Sequence, residues 1–225
     1  MQPAEHAVRR RGSSLLILAA GLWMAVLLLF LFLAVMAAFY DYFPSDVYLA
    51  HRIQRIDVQG FGAFMDAVNV FGVAWLFVPL TVALAVAFVM REAWIEGALV
   101  ALTFFPRYVD DWIKDAVGRP RPSPDLLHAT DSIPTAPSFP SGHTLGTAAL
   151  FGVLFFLMPA LVPWRPLRWL LQGGCLLMVA AAGPARVYAG VHWPSDTLGS
   201  YLLALLFLIP ALAAFSALRS KGNPQ

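Results

Sequence analysis

Three short segments hold the residues that could do chemistry. They are Lys114 through Arg121 and Pro122, then Pro140-Ser141-Gly142-His143, then Arg186 through His192 to Asp196. Together they supply three cations, two imidazoles, a hydroxyl and a carboxylate. That set can bind a phosphate group and break its ester. Arg forks and Lys point charges suit phosphate oxygens. An imidazole oriented by a carboxylate offers its other nitrogen as a nucleophile. A second imidazole can carry a proton. Charge this close to apolar sequence is costly and marks function.

Each segment has a local logic. Lys114 ends a helix that Gly118 and Pro120 terminate, and Arg121 is biased to an extended conformation by Pro122. Arg186 follows Gly183 and Pro184 at the end of an apolar block. Taken singly, these cations read as interfacial side chains snorkelling from helix ends. If they converge, each close pair at 4 Å costs about 4 kcal/mol at an effective dielectric near 20, which a bound anion relieves. Ser141 stands where the N-cap of the next apolar helix is expected, and the free N–H groups of that first turn form a ready anion site. Gly142 lets backbone approach an oxygen closely. His192 and Asp196, four apart, are expected to be neighbours on one helical turn. A zinc reading is weaker. A catalytic zinc wants three protein ligands, His143 would have to be the third, and three cations would surround the metal. No metal and no cofactor are expected.

These segments must be positioned by membrane helices. The chain has 225 residues, 60% hydrophobic and 12% charged, with a formal net charge of +2. The apolar residues fall in long blocks, which indicates an all-α polytopic membrane protein, a single unit over residues 1–225. The small net charge argues against nucleic acid. The lone Cys175 lies in an apolar block and reads as a buried hydrophobe. Six spans are expected, at 15–39, 69–90, 93–109, 143–162, 169–185 and 197–218. The first block is longer than a signal-peptide core and is read as a retained helix. Residues 45–66 are expected to form an amphipathic interfacial helix. The Pro-rich stretch 118–140 joins two of the polar segments and reads as a functional loop. Arg9–Arg11 favour a cytoplasmic N-terminus, which puts both termini inside and all three polar segments outside. Leu/Ala-rich spans and compact loops suggest a bacterial inner membrane. The oligomeric state is left open.

The ordered set resembles the type 2 phosphatidic acid phosphatase superfamily, lipid phosphatases related to vanadium haloperoxidases. That family carries K-x6-RP, then PSGH, then SR-x5-H-x3-D. All three spacings match along residues 114–196, with Ala185 where the family has Ser. The resemblance implies a six-helix membrane bundle and a metal-independent phosphatase. In it, His192 would attack phosphorus and become a phosphohistidine, Asp196 would orient it, and His143 would serve as acid and then base. Lys114, Arg121, Arg186, Ser141 and the Gly142 amide would hold the phosphate. The implied substrates are lipid-linked mono- or diphosphates: an isoprenyl diphosphate such as undecaprenyl diphosphate by preference, or phosphatidylglycerol phosphate, phosphatidic acid or lipid A. A lipid phosphotransferase using the same phosphohistidine, and a non-catalytic binder or transporter, are the alternatives. Arg119 is an extra cation, expected to face solvent or to meet a second phosphate.

Overall fold

The computed structural model describes residues 3–130 and 132–222, with side chains from Ile17 to Arg219. The side chains of Arg9–Arg11, on which the expected orientation rests, lie outside the described residues, as does Asp131. The regular structure described is helical: α1 (Pro3–Phe39), α2 (Pro44–Gln54), α3 (Phe61–Gly72), α4 (Ala74–Val89), α5 (Trp94–Ala101), a 3-10 turn (Leu102–Phe104), α6 (Phe105–Val117), α7 (Gly142–Leu161), α8 (Arg165–Tyr188) and α9 (Pro194–Gly222).

Four helical stretches are long and apolar enough to cross a membrane: Ile17–Phe39, Gly142–Leu161, Arg165–Tyr188 and Pro194–Arg219. The α3–α4 pair, bent by 61°, would make a fifth. The expected span 69–90 is therefore not one helix. Val73 takes an extended conformation (φ −75°, ψ 135°), and α3 and α4 part there. The expected span 93–109 is broken into α5, the 3-10 turn and the start of α6. Pro106 lies in the first turn of α6, and a proline there cannot continue the hydrogen-bond ladder from the preceding turn. The interfacial helix expected over 45–66 is divided between α2 and α3, because Gly60 adopts a left-handed φ of 85° between them.

The long helices differ in what surrounds them. In α7, 56% of the span window is buried, against 11% in α1. So α7 is the central strut, packed on α8 and α9, while α1 presents Leu18, Leu22, Leu28 and Phe32 outward. An apolar exterior of this extent belongs in lipid, and the protein is an integral membrane protein. The main core joins Phe77, Phe88, Val100, Leu150, Leu157 and Phe215 from α4, α5, α7 and α9.

This packing collects four helix ends at one end of the bundle. Lys114 is in the last turn of α6 and Arg186 in the last turn of α8. Gly142 opens α7, and Pro194 opens α9. Cations at helix C-termini and anion-seeking N-termini both match the helix dipole. The opposite end is marked by Arg219 of α9, which pairs with Glu96 of α5 at 3.7 Å.

Candidate active site

Lys114, Arg121, Gly142, His143, Arg186 and His192 line one cleft of about 420 Å³. Arg107, Asp110 and Asp111 line it too, with Val78, Phe104 and Tyr108 as an apolar wall. Among the described residues, no three His, Cys, Asp or Glu side chains are grouped as metal ligands would be.

Pro194 opens α9, so His192 sits just ahead of the helix that carries Asp196. Asp196 accepts the Trp193 N–H at 2.9 Å, as an acidic residue at the third helical position does when it closes a cap. The same oxygen, Oδ2, lies 3.5 Å from His192 Nδ1 and accepts the Ser138 hydroxyl at 2.5 Å. On the other side of the ring, Arg121 Nη1 is 3.0 Å from Nε2. A guanidinium can only donate, so Nε2 is the acceptor and the proton belongs on Nδ1, facing the carboxylate. Burial, and then the Arg121 charge, outweigh the carboxylate's opposing pull and depress the imidazole pKa from its ordinary 6.5 to about 4. The imidazole is therefore neutral at pH 7.

Behind this pair lies a buried ionic chain. Arg119 donates through Nη1 to Asp196 Oδ1 at 2.6 Å and through Nη2 to Asp46 Oδ2 at 2.9 Å. Asp46, at the start of α2, also accepts the Ser195 N–H and hydroxyl at 2.9 and 2.7 Å. Arg119 is 1% exposed and stacks over Phe43 at 4.8 Å. Both roles expected for it are thus overturned: it meets neither solvent nor the cleft, but clamps the carboxylate that faces His192.

The other cations are also braced. Lys114 pairs with Asp110, one helical turn earlier, and lies 4.0 Å from Asp111. Asp110 Oδ1 has no hydrogen-bond partner among the described residues. A Cβ on residue 142 would stand 2.5 Å from Asp110 Oδ2 and 3.3 Å from Lys114 Nζ. Only glycine lets this pair settle on the first turn of α7. Arg186 is buried and donates to Asn69 Oδ1 at 3.4 Å, while Asn69 donates to the Ala185 carbonyl at 3.2 Å. Arg121 donates to the carbonyls of Ala136 and Val191, both at 2.8 Å, which fixes the 118–140 loop to the turn before α9.

Two residues stand apart from the cleft lining. Ser141 is fully buried at the N-cap of α7 without a side-chain cap; its hydroxyl accepts from Thr144 at 3.1 Å and its backbone N–H donates to Ser200 Oγ at 2.8 Å. Ala185, which stands where the resemblance puts a serine, packs with Met65, Val68 and Ala181 in the α3–α8 contact. Asp46, Asn69, Ser138, Asp110 and Arg107 were not anticipated. Asp110 had a readable signal, its four-residue spacing from Lys114. Asp46 and Asn69 had none, since their partners lie 73 to 149 residues away.

Comparison with known proteins places this geometry. Residues 92–220, more than half the chain, match the PAP2 superfamily. The chain belongs to that superfamily. Phosphatidylglycerophosphatase B of Bacillus subtilis (strain 168) is 31% identical over 149 residues, covering 63% of this chain and 69% of that protein. An Escherichia coli (strain K12) protein named "Putative undecaprenyl-diphosphatase YbjG" is 40% identical over 98 residues, 43% of this chain and 41% of its own length. The crystal structure of a transmembrane PAP2 type phosphatidylglycerolphosphate phosphatase from Bacillus subtilis superposes with a TM-score of 0.72 at 24% identity, over 87% of this chain and 96% of that one. Aquifex aeolicus LpxE gives 0.59 at 21% identity, over 77% and 98%. These PAP2 neighbours share the fold, and the family and its relatives make the chain a phosphoric monoester hydrolase.

Proposed function

We propose that this PAP2 protein hydrolyses a lipid-linked mono- or diphosphate through a phosphohistidine on His192. The observation that carries the reading is the polarity of the His192 ring: Nδ1 faces Asp196 and Nε2 points its lone pair into a cationic cleft. Lys114, Arg121, Arg186 and the Gly142 amide hold the phosphate oxygens, and Ser141 braces the helix start that carries that amide. An entering phosphate oxygen takes over the Arg121 N–H and frees Nε2. Nε2 then attacks phosphorus, the P–N bond forms, and the P–O bond to the lipid breaks as His143, having taken up the proton that the phosphate monoanion carries in, passes it to the departing oxygen. His143 next accepts a proton from water, which attacks phosphorus, breaks the P–N bond and releases inorganic phosphate. Positioning and charge neutralisation supply most of the acceleration in such transfers. The names of the curated relatives support lipid phosphates as the substrate class.

The relation of Glu96 to Arg219 supports six crossings, with α4 running away from the site and α5–α6 returning to it. Residues 1–225 act as one unit, with both termini on the cytoplasmic side of a bacterial inner membrane and the cleft facing outward. The test is phosphate release from a panel of lipid phosphates by purified protein with chelator present. Release is expected to persist with chelator and to vanish in His192→Ala, which still binds substrate. Turnover that collapses with chelator and returns with zinc overturns the metal-free route, and normal turnover by His192→Ala overturns the nucleophile.

A further inference from the structure

We infer that Arg107 forms a second-phosphate subsite on the leaving-group side of the cleft, so that a lipid diphosphate is preferred over a lipid monophosphate. The inference rests on the phosphatase reading and extends it. Arg107 lies outside the three segments, seven residues before Lys114 on α6, two turns along the same face.

Its depth follows from two contacts. A Cβ at Gly146 would stand 3.2 Å from Arg107 Nη1, and Gly146 is one turn past His143 on α7. Nη1 also lies 3.5 Å from the Gly72 carbonyl oxygen, and a Cβ at Gly72 would stand 2.8 Å from the His143 ring. Arg107 thus lies beside the helical turn that follows His143, in the cleft that His192 also lines and that Val78 and Phe104 wall.

Arg107 is poorly committed elsewhere. Its hydrogen bond to Gly72 is long, it lies over the Phe77 ring at 5.1 Å, and among the described residues no carboxylate is within 4.0 Å of it, Asp110 and Asp111 of α6 acting on it only from farther away. In-line attack by His192 places the departing oxygen at His143. The group beyond that oxygen meets Arg107. In a monophosphate that group is a methylene, which leaves the guanidinium fork without acceptors. In a diphosphate it is a phosphate, which the fork binds through two oxygens. The tail then passes along Val78 and Phe104 towards lipid.

The experiment compares farnesyl diphosphate with farnesyl monophosphate in detergent micelles, for the wild type, Arg107→Gln and Arg107→Lys. Loss of a charge-assisted bond predicts that Arg107→Gln lowers kcat/KM for the diphosphate by about ten- to a hundredfold, with a much smaller loss for the monophosphate. Arg107→Lys, which keeps the charge without the fork, gives an intermediate ratio. Equal losses on both substrates, or an unchanged ratio, mean that Arg107 merely caps α3, and overturn the subsite. If neither variant folds, inhibition of the wild type decides: methylenediphosphonate must bind at least about tenfold more tightly than methylphosphonate, and equal inhibition overturns the subsite. Wild-type release from the monophosphate alone also overturns it while leaving the phosphatase reading intact. Release from neither lipid overturns both.

Discussion

His192 is held between an acceptor at one nitrogen and a donor at the other, and this fixes its proton as well as its orientation. Its depressed pKa has a definite sign. Between pH 6.5 and about 4 the unfolded chain binds this proton and the folded chain does not. The stability that this group contributes is therefore fully present above pH 6.5 and is lost as pH falls towards 4. An NMR titration of the imidazole signals, assigned with His192→Asn, should show a midpoint near 4; one near 6.5 would mean the ring is not enclosed as described. Gly142 is the second sensitive position. In Gly142→Ala the added methyl collides with the Asp110–Lys114 pair, and a misplacement of about 1 Å is expected to cost about a hundredfold in kcat/KM. Steady-state kinetics checks this; full activity would show that the pair moves without consequence. At this scale the proximity of His192 and Asp196 was legible, because their four-residue spacing brings them within 3.5 Å even though the histidine sits in the turn before α9. Arg119 was not legible. Arginine is by default a surface residue, and nothing near residue 119 announces a carboxylate at position 46.

Among the elements, α2 changes character most between sequence and structure. Its mixed polarity reads as a helix resting on the membrane surface, yet Asp46 turns inward and is 2% exposed. Through Arg119 it braces the start of α9. Replacing Arg119 with Met strands two buried carboxylates, and breaking such a pair costs about 3–5 kcal/mol. The variant should melt well below the wild type and lose turnover, and Asp46→Asn should lose less of both, since the amide still accepts one hydrogen bond. Equal melting temperatures would show that the clamp contributes nothing to stability. The broken helices were legible in part. Pro106 announced a disturbance, and Gly72 stands immediately before the 61° bend at Val73, but a glycine inside an apolar run does not by itself mark a break. The break falls where α3, which runs from Tyr188 to His143 across the site, hands over to α4, a tertiary demand that Gly72 permits and does not dictate.

For the whole molecule, apolar block length showed the membrane class directly, because hydrocarbon demands uninterrupted apolar helices. The number of crossings was harder to read, because a polar site lets backbone break where protein, not lipid, surrounds it. The proposed orientation is testable by labelling. In a Cys175→Ser background, a cysteine at Ser123 should react with an impermeant reagent added outside intact cells. A cysteine at Trp164 should react only after permeabilisation, and the reverse pattern would invert the topology.

The clamp formed by Asp46 and Arg119 bears on how such enzymes can be cut and recombined. The recognisable superfamily region begins at residue 92, whereas the aspartate that holds Arg119 against Asp196, and the asparagine that touches Arg186, both lie upstream of it. A fragment trimmed to the family boundary would keep every signature motif and still be miswired. A chimera joining this C-terminal portion to another scaffold would need Asp46 and Asn69 transplanted with it.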